Sequence, residues 1–279
     1  MLLLPPARAQ DAAKQADRWE FLESGFAVDV NGYRLEVSEN PDADHVLQIR
    51  RGDLVLFESK EQGFSIHRPS FGADITGTGV PHVAIMGWSG GAHCCFTLHI
   101  VQLGETLRAL PPLDLQDIDV PDLADVDGAP GLEIDSSDIL SYYDGSFASS
   151  PWARVVLRFD GTRYVVAPDL MRRPPPADTE VSAAVARAHD HQDELNFLPE
   201  FVWGPLMRWI YQGNLGAACG FLNQLNVDVE DFDRRVDDFF ATLERYTPRY
   251  ESGINYPGLR AALLDLNGAT AEGRLSCRR

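Results

Sequence analysis

The spacing of hydrophobic residues changes once along this chain, within the string MRRPPPADTE at residues 171–180. Before it, apolar residues alternate with polar ones or form β-branched runs; after it, they recur every three to four residues. A period of two sends successive side chains to opposite faces of a strand, whereas a period near 3.6 lines one face of a helix. Three consecutive prolines, Pro174 to Pro176, fix φ and remove three donors, so neither kind of element runs across them. A β-rich part must therefore be followed by a helical part.

The β part carries its turns in plain view. VDVNGYRLEV, HVLQIRRGDLVLFES and VVLRFDGTRYVVAP each place a turn dipeptide between strand-like runs: Asn31-Gly32, Gly52-Asp53 and Asp160-Gly161. Asn-Gly and Asp-Gly supply the positive φ that tight hairpins need. PHVAIMGW and FTLHIVQLG add two more strands. No amphipathic helix interrupts this region, which predicts antiparallel rather than alternating β/α structure. Arg51-Gly52-Asp53 spells an adhesion tripeptide, but its place at a hairpin accounts for it.

After the prolines, Asp178 or Thr179 is expected to cap a helix, with Glu180 in its first turn. Helical spacing follows in VSAAVARAHDHQDE, EFVWGPLMRWIYQ, LGAACGFLNQL, EDFDRRVDDFFATLERY and PGLRAALLDL. Phe232, Val236, Phe239, Phe240 and Leu243 form one stripe, and Trp203, Trp209 and Tyr211 read as core aromatics. The expected organisation is a residual signal peptide at 1–9, an antiparallel β domain at 20–170, a proline-rich linker at 171–178 and a helical domain at 179–279. The fold class is α+β: an all-β N-terminal domain, partial propeller-like or sandwich, then an α-helical C-terminal domain.

Charge and cysteines narrow the compartment and the partners. Twenty-four basic against forty-two acidic residues give a net charge of −18. A nucleic-acid binder needs a basic face, so that class is excluded, as is adsorption on anionic lipid. No apolar run approaches the roughly 20 residues of a transmembrane helix. MLLLPPARAQ combines a short Leu run with Ala7-Arg8-Ala9, a small-x-small cleavage pattern. It reads as the end of a signal peptide whose start lies upstream, which places the protein in the periplasm or outside the cell. Four cysteines fit an oxidising compartment. Cys219–Cys277 is the favoured disulfide because it would tie down the C-terminal tail. Adjacent strand residues face opposite ways, so Cys94 and Cys95 are expected to be buried thiols rather than bridged.

Two segments share a loop pattern. FGADITGTGVPHVAI carries Asp74, Thr76, Gly77, Thr78, Gly79 and His82; LADVDGAPGLEI carries Asp125, Asp127, Gly128, Ala129, Gly131 and Glu133. Both run into an apolar segment. The pattern resembles the FG-GAP (VCBS-type) repeats of integrin-α-like β-propellers, and Phe71-Gly72 supplies that family's FG. The resemblance implies a Ca²⁺ ion held by the first, third, fifth and ninth loop residues and the seventh carbonyl. In the second loop these are Asp125, Asp127, the carbonyl of Gly131 and Glu133, with Ala129 offering no side-chain oxygen. In the first they are Asp74, Thr76, Thr78, the Val80 carbonyl and His82. Ca²⁺ prefers six to eight hard oxygens, several of them carboxylate. The first loop is therefore expected to be a turn held by side-chain-to-backbone hydrogen bonds, and the second a weak ion site at most. The neighbouring acids Asp114, Asp117, Asp119, Asp122, Asp135 and Asp138 are expected on solvated edges unless an ion gathers them.

GWSGGAHCC, residues 87–95, contains G-x-S-x-G at Gly87, Ser89 and Gly91. In α/β hydrolases that motif places a nucleophilic Ser between a strand and a helix. Here the following AHCCFTLHIVQLG is strand-like, so a hairpin with Ser89 bonded to the backbone is expected instead. His93, Cys94 and Cys95 could offer soft metal ligands, though adjacent residues rarely share one ion. The string SGGAHCC after an Asp/Gly loop is similar to one in a group of exported bacterial proteins with such repeats. The functional expectation is a binding or interaction protein for an envelope component or another protein, without catalytic activity. The alternative is an exported hydrolase using Ser89 or a carboxylate-bound divalent metal.

Overall fold

The computed structural model describes residues 18–40, 44–91, 95–116, 120–140, 149–191, 199–225, 232–245, 256, 258–268, 275 and 277. The expected signal-peptide remnant lies outside them. Antiparallel sheets come first and helices second, an α+β fold with no closed barrel among the described residues. The chain divides into two compact units, residues 1–136 with 158–164 and residues 137–157 with 165–279. The division passes through strands, whereas the period change at the prolines precedes the longer helices, with only the four-residue helix Pro168–Met171 ahead of it.

In the first unit β2 (Ala27–Val30), β3 (Tyr33–Glu39), β4 (His45–Arg51) and β5 (Leu54–Glu61) form a four-stranded meander. Its first turn has φ of 47° at Asn31 and 77° at Gly32, the left-handed pair that a two-residue hairpin requires. A larger sheet has the order β1-β6-β7-β8-β10, with β9 also on β8. Its strands are β1 (Trp19–Leu22), β6 (Gly63–His67), β7 (His82–Trp88), β8 (Phe96–Leu103), β9 (Leu107–Ala109) and β10 (Leu113–Gln116). Alternation decides what lies between the two sheets. Tyr33, Leu35, Val37, Leu47 and Ile49 from one join Leu22, Phe64, Ile66, Val83, Ile85, Val101 and Leu103 from the other in one buried cluster. Each such side chain contributes about 1.5–3 kcal/mol on burial, so this shared core holds the two sheets face to face as in a sandwich. Arg51 of the Arg-Gly-Asp string lies over the Tyr33 ring, 4.2 Å from its centroid, which gives it a packing role.

A third sheet has the order β11-β12-β13-β14: β11 (Asp122–Ala124), β12 (Glu133–Ile139), β13 (Trp152–Phe159) and β14 (Tyr164–Val166). At the turn into β14, Asp160 accepts hydrogen bonds from the Thr162 hydroxyl and the N–H groups of Arg163 and Thr162. These bonds hold its carboxyl at about 2. The two Asp/Gly loops occupy equivalent positions: one joins β6 to β7 and the other joins β11 to β12, in each case two antiparallel neighbours.

The second unit contains α1 (Pro168–Met171), α2 (Asp178–Asp190), a π-helical turn (Pro199–Trp203), α3 (Gly204–Tyr211), α4 (Leu215–Leu225), α5 (Phe232–Arg245) and α6 (Leu259–Leu266). The expected cap differs in detail. Asp178 is already helical, Ala177 is the N-cap, and no side chain caps it; Asp178 and Glu180 instead place negative charge in the first turn. Trp203, Trp209 and Tyr211 are buried, with Trp203 stacked on Phe239 at 5.1 Å and Trp209 edge-on to Phe221 at 5.4 Å. The helix α3 ends where Gly213 turns left-handed at φ 80°, with Gly213 N–H on Ile210 and Asn214 N–H on Trp209. Buried Asp138 of β12 accepts from the Tyr211 hydroxyl, and the Tyr256 hydroxyl donates to the Ser137 carbonyl at 2.8 Å. Cys219 of α4 is bonded to Cys277, the pairing expected from the sequence. No helix among the described residues is long and apolar enough to cross a membrane.

Candidate functional site

The first Asp/Gly loop is closed by its own side chains. Asp74 accepts from the N–H of Thr78 at 3.0 Å and of Gly79 at 2.6 Å, which is the side-chain-to-backbone turn expected of it. At the ninth position His82 is fully buried, and its Nε2 lies 3.1 Å from the Thr76 hydroxyl. Thr76 is in turn 2.8 Å from the Thr78 hydroxyl. Burial lowers the His82 pKa despite the Asp74 carboxylate near its other nitrogen. A neutral imidazole and two hydroxyls thus stand where a calcium loop has anionic oxygens.

The second loop repeats that plan with acids. Asp125 accepts from Gly128 N–H at 2.6 Å, Asp127 from Ala129 N–H at 2.8 Å, and Glu133 from Val126 N–H at 2.9 Å. Glu133, the counterpart of His82, is buried, and one oxygen each of Asp125, Asp127 and Glu133 lies within 4.8 Å of the others. Three of the four predicted ligands therefore converge. Gly131, the fourth, lies where the two loops meet: a Cβ there would come within 3.2 Å of the Thr76 and Gly77 backbone. A Cβ on Gly77 would collide with the Pro130 carbonyl, so two glycines allow the two loop backbones to touch. Leu132 N–H donates to the Ile75 carbonyl at 2.8 Å, and the buried Tyr164 hydroxyl reaches the carbonyls of Ile75 and Leu132.

Arg158, on β13, joins this loop without any signal in the sequence pattern. Its Nη2 is 2.9 Å from Asp127 Oδ2, and its Nε is 4.0 Å from Glu133 Oε1. The guanidinium thus lies beside two of the three carboxylates, Asp127 and Glu133. Calcium would have to sit about 2.3–2.6 Å from the same oxygens, with another full positive charge beside it. The donor set converges, but Arg158 already supplies a positive charge at two of its three carboxylates, which disfavours a divalent ion there.

The other flagged acids are dispersed. Asp135 and Asp138 are three apart on β12 and so face opposite ways, while Asp117 and Asp119 lie outside the described residues. Asp122 holds Arg18 at 2.8 Å; burial would raise its pKa, but His67 and Arg18 together lower it. Here spacing concealed another arrangement. Ser70 Oγ is 2.8 Å from His67 Nδ1, and His67 Nε2 is 3.6 Å from Asp122. Those are the residue types of a hydrolase triad, yet Ser70 and His67 are each 1% exposed. With the hydroxyl sealed from substrate, the chain of contacts acts as a latch fastening β11 beside β6.

Ser89 lies between β7 and β8, strand to strand, with its N–H bonded to the Cys95 carbonyl and its hydroxyl accepting from Cys95 N–H at 2.8 Å. The strand-to-helix elbow of a hydrolase is not formed there. Cys95 is disulfide-bonded, which corrects the expected free thiol and removes a soft metal ligand. His93 and Cys94 lie outside the described residues. Fold and site define a class: antiparallel β meanders whose Asp/Gly loops are closed by side-chain and backbone groups of the chain, followed by a disulfide-bonded helical unit. No family model, curated protein or solved structure matches the chain.

Proposed function

We propose that this protein is an exported binding module, periplasmic or secreted, that engages another protein or an envelope component through a surface and performs no covalent chemistry. The observation that carries the reading is an exposed aromatic pair. Phe21 and Trp88 are 56% and 37% exposed, on β1 and β7, and both rings lie over Gly63 of the strand between them. The Trp88 indole donates to the Gly91 carbonyl at 3.0 Å, which fixes its orientation. A pre-oriented aromatic pair loses little conformational freedom on contact, a property of recognition surfaces. Among the described residues, the side chains considered for chemistry are engaged within the fold: Ser89 with the backbone, Ser70 with His67, and the second loop's acids with N–H groups and Arg158.

The test replaces Phe21 with a photo-crosslinking phenylalanine analogue in the full chain and irradiates it with an envelope extract. A discrete adduct is expected, lost when Trp88→Ala is added although the melting temperature is unchanged. An identical adduct pattern with and without Trp88→Ala would overturn the reading. Ester hydrolysis abolished by Ser89→Ala would replace it with the hydrolase alternative.

A further inference from the structure

We propose that Arg158 is the permanent counter-charge of the second Asp/Gly loop, standing in for the calcium ion that loops of this form hold. The buried Glu133 carboxylate requires compensation, because an unpaired charge is strongly disfavoured away from water. Arg158 supplies it from β13 while bonding Asp127 at 2.9 Å. Guanidinium presents several donors in a rigid plane and stays charged at every physiological pH, so it can face two carboxylates at once. The loop carboxylates also accept the Val126, Gly128 and Ala129 N–H groups, giving the loop its shape from within. The first loop supports the same conclusion by another route. It reaches an equivalent closure with His82, Thr76 and Thr78, and the two loops touch through Gly77 and Gly131. In the first loop neutral hydroxyls and an imidazole stand at the positions where the second loop has acids, so less charge needs balancing there, whereas the second loop keeps its acids and sets an arginine beside them. Nothing in this inference depends on the aromatic surface or on what it binds.

Calorimetric titration of CaCl₂ into the EDTA-treated full chain, with thermal scans in parallel, tests it. The wild type is expected to show no saturable heat, and a melting temperature that moves by less than about 1 °C at about 5 mM Ca²⁺. Arg158→Gln is expected to melt several degrees lower in EDTA and to recover part of the loss in Ca²⁺. Asp127→Asn added to that variant should abolish the recovery. Saturable Ca²⁺ binding by the wild type, or Arg158→Gln as stable as the wild type in EDTA, would overturn the proposal. The wild-type titration decides the matter even if the variant does not fold.

Discussion

His99 on β8 shares the core-facing side of that strand with Val101 and Leu103 and meets the Phe57 ring edge-on at 5.5 Å. Burial holds its pKa at about 4. In the unfolded chain it titrates near 6.5. Above that pH both states are neutral and the group contributes nothing. Between roughly 6.5 and 4 only the unfolded chain gains the proton, so stability falls; below about 4 both are charged and the loss levels off. The full loss is on the order of 3 kcal/mol, and buried His82, also lowered, adds to it in the same direction. Urea midpoints at pH 7 and pH 4 should therefore converge in His99→Leu, and an unaltered gap would refute this assignment. Gly77→Ala should cost more than about 3 kcal/mol, because positive φ is compounded by collision with Pro130. Gly128→Ala, at φ 75° in open space, should cost about 1–2 kcal/mol. Equal losses would mean that the loops do not touch. At this scale the sequence was legible where chemistry is local: Asn31-Gly32 and Asp74 act on their own turns. Arg158 and the His67–Asp122 contact were not, since pairings across strands leave no mark in residue spacing.

Among elements, strand alternation and helical stripes were readable because each period records a buried face. Phe239, Phe240 and Leu243 of α5 are buried as their spacing predicts. The start of α2 was displaced by one residue because charge in its first turn, rather than a capping hydroxyl, accompanies its N-terminus. The third sheet was underread: β11 spans three residues, too few for alternation to register. The Cys219–Cys277 bridge spans a sequence separation of 58 and constrains the unfolded chain by about 4 kcal/mol in the loop-entropy account. Cys219→Ser should accordingly lower unfolding stability by about 2–4 kcal/mol. A variant that melts with the wild type under non-reducing conditions would show that the bridge contributes nothing.

For the whole molecule, an acidic chain with a net charge of −18 would be expected to gather cations wherever its carboxylates converge. Instead, Asp122 is held by Arg18, Asp127 and Glu133 by Arg158, and Asp138 by Tyr211. Convergent acids are thus matched by internal donors, and the larger sheet of the first unit presents an aromatic surface at Phe21 and Trp88. The central claim is that the Asp/Gly loops hold their shape without metal. Amide exchange by NMR at Val126, Gly128 and Ala129, in EDTA and then in Ca²⁺, tests it most directly. The account predicts that these three N–H groups, each bonded to a loop carboxylate, exchange slowly and at the same rate in both conditions. Exchange at the open-chain rate in EDTA, slowed on adding Ca²⁺, would contradict it.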